Sequence, residues 1–286
     1  MTTTLKAIEG NMQKLDGGSM YGNCPKALWE RWSPPDELNR IDLACRAMLI
    51  EHESGKKILC ETGIGYFFPG KLRDRYGVRG DGHVLLDNLE KAGVRAEEID
   101  AVILSHLHFD HAGGLLLPYE EGKEPALAFP RARFLLSREA FKRASNPHTR
   151  DRASFIPELP GLLESSGRLD LVDSNHASYL DDDFEFFFSD GHTPGLMLTK
   201  VRTQNDTVLF VGDLAPGLPW VHLPITMGYD RYPELLVNEK QNIFSQVLEQ
   251  GAKLFFTHDP NTAFALLERD EKGKFKGIPL DAKIMS

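Results

Sequence analysis

The chain has few cysteines and no long apolar run. Three cysteines (Cys24, Cys45 and Cys60) are spread over 286 residues, with no C-x-x-C pair. That odd, scattered count argues against a disulfide framework and for free thiols in a reducing compartment. No stretch reaches membrane-spanning length, which argues against an integral membrane protein. Met1-Thr-Thr-Thr-Leu-Lys lacks a basic segment followed by an apolar one, so a cytoplasmic location without an export signal is expected. Basic tracts are missing too. Thirty-three Lys and Arg stand against 42 Asp and Glu, giving a formal charge of −9. An acidic surface does not attract phosphate backbones, so neither nucleic acid nor membrane is expected as a partner.

Enough apolar sequence remains to build a core. Hydrophobic residues make up 41% and charged residues 26%, which is ordinary for a globular chain. Apolar runs read as buried strands at 44–51, 57–61, 101–105, 184–189, 196–201, 208–212 and 253–257. Helical periodicity appears over 83–92 and 233–250, and a short helix is expected over 138–144 inside the loop-rich stretch 115–156. The elements do not alternate strictly. Two sheets between helices, an α+β sandwich in one domain over 1–286, fit better than a doubly wound sheet. Residues 1–40, with Gly17-Gly18, Trp29, Trp32 and Pro34-Pro35, read as an arm or lid.

Four apolar strands run into polar, metal-capable residues: Cys60 into Glu61, Leu104 into Ser105-His106, Val211 into Gly212-Asp213, and Thr257 into His258-Asp259. Ligands gather at such carboxyl ends. The centre is Ser105-His106-Leu-His108-Phe-Asp110-His111-Ala-Gly113-Gly114. His106 and His108, two apart in extended chain, point the same way. Asp110 and His111 follow where the chain turns. Burying three imidazoles and a carboxylate together without a cation would leave costly unpaired groups. A bound cation of the zinc or iron kind is therefore expected.

His106 to His111 fit H-x-H-x-D-H, and by this motif the chain resembles the metallo-β-lactamase superfamily. Gly191-His192-Thr-Pro-Gly195, Gly212-Asp213 and Thr257-His258-Asp259 resemble the family's later landmarks, in order. The resemblance implies a four-layer αβ/βα sandwich and two divalent ions, zinc by default, with iron, manganese or cobalt open. It assigns His106, His108 and His192 to one ion, Asp110, His111 and His258 to the other, and Asp213 to both together with a bridging hydroxide. His192 also suits a plain turn. Asp110 is implied as the catalytic residue that orients the nucleophile and passes a proton to the leaving group. Glu61 stands where the family has Asp and is expected to support a ligand histidine or the motif loop.

Within the superfamily the chain resembles quorum-quenching lactonases and methyl-parathion-type hydrolases. The likeness rests on Asp16-Gly-Gly-Ser-Met-Tyr-Gly22, on residues 41–51, and on Trp220 through Asp230. It implies opening of a small-molecule lactone or ester, with phosphotriester hydrolysis as the alternative and pairing of two copies through the arm. Met20, Tyr21, Trp29, Phe67 and Phe68 either line an acyl pocket or pack the arm onto the body. Lactonases of this type carry a tyrosine three residues after the bridging aspartate. Here Pro216 stands there, and Tyr229 or His222 are the candidates to replace it. Rival readings within the superfamily are an iron-dependent oxidoreductase, which shares ligand types, and a nuclease, which the acidic composition disfavours.

Overall fold

Alternation along the strands dictates the layers. In Ala47–Glu51, Lys57–Cys60 and Ala101–Ile103, the side chains of Leu49, Leu59 and Val102 face one way, and those of Met48, Ile50, Ile58, Cys60, Ala101 and Ile103 face the other. Both faces are apolar, so both must be covered. The computed structural model, which describes residues 2–281 and 284–285, covers them. One sheet has seven strands in the order Ile284–Met285, Thr4–Ile8, Ala47–Glu51, Lys57–Cys60, Ala101–Ile103, Arg133–Ser137 and Leu169–Val172. The other has six, in the order Phe275–Leu280, Phe264–Arg269, Lys253–Phe255, Thr207–Phe210, Leu196–Arg202 and Phe184–Ser189.

Between the sheets, Met48, Ile58, Ile103 and Leu135 meet Phe184, Phe186, Val208, Phe210 and Phe255. The outer face of the first sheet packs on helices Val84–Lys91, Arg138–Ser145 and Leu159–Ser165 through Leu85, Leu89, Phe141, Leu159 and Leu163. The outer face of the second packs on Pro233–Glu249 through Leu236, Ile243, Phe244 and Val247. This is the four-layer sandwich. No helix among the described residues is long and apolar enough to cross a membrane.

Register sets the site. Cys60, Ile103 and Leu135 lie side by side in parallel pairs, as do Phe210 and Phe255 in the other sheet. The segments that follow these strands therefore emerge along one edge of the sandwich.

The arm expected over 1–40 is divided. Thr4–Ile8 belongs to the main sheet, hydrogen-bonded between Ala47–Glu51 and Ile284–Met285. Gln13–Asp16 pairs with Arg40–Leu43, and the excursion proper is 17–39. The loop-rich reading of 115–156 hid the strand Arg133–Ser137, and the hairpin of Phe264–Arg269 and Phe275–Leu280 was not anticipated. Arg133 at the start of the first and Glu268-Arg269 at the end of the second mask short buried cores. Inside them, Phe134, Leu135, Leu136, Phe264 and Ala265 are fully buried.

Candidate metal centre

His106 and His108 lie just beyond Ala101–Ile103, where pairing passes to single contacts: the Leu104 amide donates to the Leu135 carbonyl, and His108 bridges to Phe155. Asp110 and His111 then enter the short helix Phe109–Ala112. Gly113 and Gly114 let this turn press against the chain after Cys60. A Cβ on Gly114 would lie 2.1 Å from the Thr62 carbonyl oxygen, and one on Gly113 2.3 Å from that of Ile64. His83 bonds the Gly114 carbonyl at 2.9 Å.

His192, Asp213 and His258 arrive from the other sheet. His192 Nε2 is 3.3 Å from His108 Nδ1 and 3.3 Å from Asp213 Oδ2. On the other side, His111 Nε2 is 3.3 Å from the same Asp213 Oδ2 and 3.1 Å from His258 Nε2. His258 Nε2 is 3.5 Å from Asp110 Oδ2. Three overlapping groups have their ligand atoms within 4.8 Å of one another: His106, His108, His192 and Asp213; Asp110, His111 and His258; and Glu61 with His106 and His111. The first two form the donor sets that face the cavity. A tetrahedral zinc with nitrogens at about 2.0–2.1 Å would hold them about 3.3–3.4 Å apart, so the observed spacings fit a cation in each set. His106 Nε2 and Asp213 Oδ1 are buried without a hydrogen-bond partner among the described residues, which also suits a cation.

Surrounding groups fix which atom faces the centre. Ser105 Oγ donates to Glu61, so it accepts from His106 Nδ1 at 2.9 Å and leaves Nε2 with its lone pair inward. Glu61 also accepts from Thr257 Oγ1 at 3.0 Å and lies 2.9 Å from His111 Nδ1. It adopts φ 61°, rare for a side chain of this shape, and these partners hold it there. Asp230 Oδ1 takes His192 Nδ1 at 2.8 Å, and the Ala44 carbonyl takes His258 Nδ1 at 2.7 Å. Gln13 donates to Asp110 Oδ2 at 2.7 Å. Glu239 fastens the His192 loop by accepting from Ser189 Oγ and from the amides of Asp190 and Gly191. The buried Arg46 donates to the carbonyls of Phe256, Asp259 and Thr262 around His258.

The electrostatics divide the histidines: burial opposes charge on His106, His108, His111 and His192, but Glu61 and Asp213 raise His111, and Asp213 and Asp230 raise His192. Burial and neighbouring imidazoles push His106 and His108 well below the usual histidine range, so both stay neutral. Burial opposes charge on Asp213, yet His111, His192 and His258 hold its carboxyl well below the usual carboxylate range.

The centre opens into a cavity of about 220 Å³ bounded by Leu15, Met20, Arg75, Tyr76, Phe109, Ser154, Met227 and Tyr229. Of the residues expected to contact substrate, Met20 and Tyr229 reach it. The others do not. Tyr21 is stacked between Trp29 and Trp220, at ring separations of 5.4 and 4.4 Å, and packs the excursion onto the body. Phe68 lies behind the wall against Tyr76 and Phe109, and Phe67 borders a separate groove with Leu117 and Tyr119. His222 is exposed in another groove beside Trp32 and Phe275. Sequence reasoning missed Gln13, Asp230 and Glu239, and no local pattern marks them.

Histidines and aspartates converging at one edge of a sandwich define a candidate metal centre. The sequence pattern of the metallo-β-lactamase superfamily matches residues 40–258, and the chain belongs to that superfamily. It is 27% identical over 215 residues to a ribonuclease of Thermus thermophilus, covering 70% of this chain but only 46% of that protein. It is 23% identical over 239 residues to an N-acyl homoserine lactonase of Bacillus thuringiensis, covering 79% and 84%. A probable metal-dependent hydrolase from Staphylococcus aureus superposes with a TM-score of 0.85 at 23% identity, covering 98% of both chains.

Proposed function

We propose that the chain is a dinuclear hydrolase that opens a lactone or cleaves an ester. One observation carries this reading: a single oxygen, Asp213 Oδ2, stands 3.3 Å from a ligand nitrogen of each donor set. The likeness to a homoserine lactonase over most of both lengths favours a lactone, whereas the ribonuclease likeness spans under half of that protein. Two divalent cations, zinc by the donor chemistry, would supply a hydroxide nucleophile at neutral pH and polarise the electrophile.

The chain's own residues do the rest. Asp110, steadied by Gln13, faces the cavity and is placed to orient the nucleophile and carry a proton to the leaving alkoxide. Burial pushes the Tyr229 phenol up against the opposing pull of a hydrogen bond with Ser19, so it stays protonated on the cavity wall and can donate to a substrate carbonyl. Pro216 has no side-chain donor; its carbonyl instead accepts from the His258 amide at 3.0 Å. Met20, Met227 and Phe109 offer the acyl part an apolar wall.

The test is a panel on protein of known metal content: a long-chain lactone, an aryl ester and an aryl phosphotriester. Metal-dependent turnover, fastest on the lactone, is expected. No turnover of any of the three overturns the reading.

A further inference from the structure

Beside the main cavity lies a second one of about 240 Å³, bordered by His108, Ser154 and Tyr229, which also line the first, and by Arg150, Asp151 and Arg231. Arg231 is anchored to the metal centre through its backbone, its amide donating to the His192 carbonyl at 3.1 Å. Its side chain is only 10% exposed. Its Nε and Nη1 are buried and find no acceptor among the described residues. The nearest carboxylate oxygen, Asp151 Oδ2, stands 3.7 Å away and is already held by Arg143 at 2.7 and 3.0 Å. Arg150 donates to the Gly228 carbonyl and makes no ion pair among the described residues.

Two guanidinium groups, of Arg143 and Arg231, thus flank the one carboxylate of Asp151, whose Oδ1 is also buried without a hydrogen-bond partner among the described residues, and Arg150 borders the same cavity. A buried guanidinium left short of acceptors is costly unless an anion completes it. We propose that this side cavity is a subsite for an anionic oxygen group of the substrate, a carboxylate or a phosphate, carried close to the bond cleaved at the metal centre. The proposal rests on the hydrolase reading and narrows it: the preferred ester or lactone is an anion rather than a neutral acyl compound.

The experiment has a kinetic and a binding arm, on wild type, Arg231→Met, Arg231→Lys and Arg150→Met matched for metal content. In the kinetic arm, 4-nitrophenyl butyrate is compared with mono-4-nitrophenyl glutarate. The wild type is expected to favour the charged ester in kcat/KM. Arg231→Met should cut that ratio roughly tenfold or more, and Arg231→Lys should restore part of it. In the binding arm, calorimetry follows glutarate and phenyl phosphate, which separates the two anions. Each that the subsite accepts should bind Arg231→Met about tenfold more weakly than wild type. Should Arg231→Met not fold, Arg150→Met is read in its place, with a smaller loss of the same sign. Equal affinity in wild type and variant, or a wild type without preference for the charged ester, overturns the proposal. If neither ester is turned over, the hydrolase reading fails by itself and the binding arm decides the subsite.

Discussion

At the scale of single residues, the centre depends on a shell of side chains that never face substrate. Asp230 is one of them. Its two oxygens take His192 Nδ1 at 2.8 Å and the Met227 amide at 2.6 Å, which fixes the ring and turns Nε2 inward. Replacing Asp230 with alanine should weaken metal binding by about ten- to a hundredfold while the fold persists, since such partners tune a ligand by that order. A competition titration against a chelator measures it, and unchanged affinity would show that the loop alone orients His192. The converging histidines and aspartates were legible in the sequence, as was Glu61 beside them, whereas Gln13 and Asp230 were not, for a physical reason. His106, His108, Asp110 and His111 are neighbours in the chain, so their pattern is local. Gln13 lies 97 positions from Asp110, and Asp230 lies 38 from His192. Nothing but folding brings them together.

At the scale of elements, the centre is a meeting of strand ends and one long helix. Pro233–Glu249 buries Lys240 as well as its apolar stripe, and Lys240 Nζ donates to the carbonyls of Trp220 and Ile225. Burial lowers this ammonium to about 8. Above that pH the folded chain releases the proton while the unfolded chain keeps it up to about 10.4, so the unfolded state binds more protons and stability rises with pH between those values. Below about 8 both states are protonated and the lysine contributes no slope. Lys240→Met should flatten that rise in denaturant-midpoint measurements between pH 8 and 10. A slope that persists would place the effect elsewhere. Sequence periodicity exposed this helix and the main buried strands, because long apolar stripes announce themselves. Arg133–Ser137 and the hairpin closing the second sheet escaped, because charged residues border or interrupt their apolar cores: Arg133 in the first, Glu268 and Arg269 in the second, Lys276 in the third.

At the scale of the whole molecule, the excursion 17–39 packs on the second half of the chain and adds Met20 to the cavity wall. Trp29 is buried against Gly17 and Ile41 and stacks on Tyr21, while Trp220 Nε1 donates to the Met20 carbonyl. That packing holds Met20 in the cavity wall. Trp29→Ala should cost about 3–5 kcal/mol of stability and raise KM for apolar substrates more than it lowers kcat. Thermal unfolding with matched kinetics checks both, and an unchanged Tm would mean that the excursion packs independently of this ring.

The central claim is that two cations sit in two donor sets sharing Asp213. Elemental analysis of purified protein, wild type beside His258→Ala, tests it most directly. The account predicts about two equivalents of transition metal per wild-type chain, and about one in the variant, which loses a ligand of one set alone. A wild type holding no transition metal, or a variant holding as much as the wild type, would contradict it.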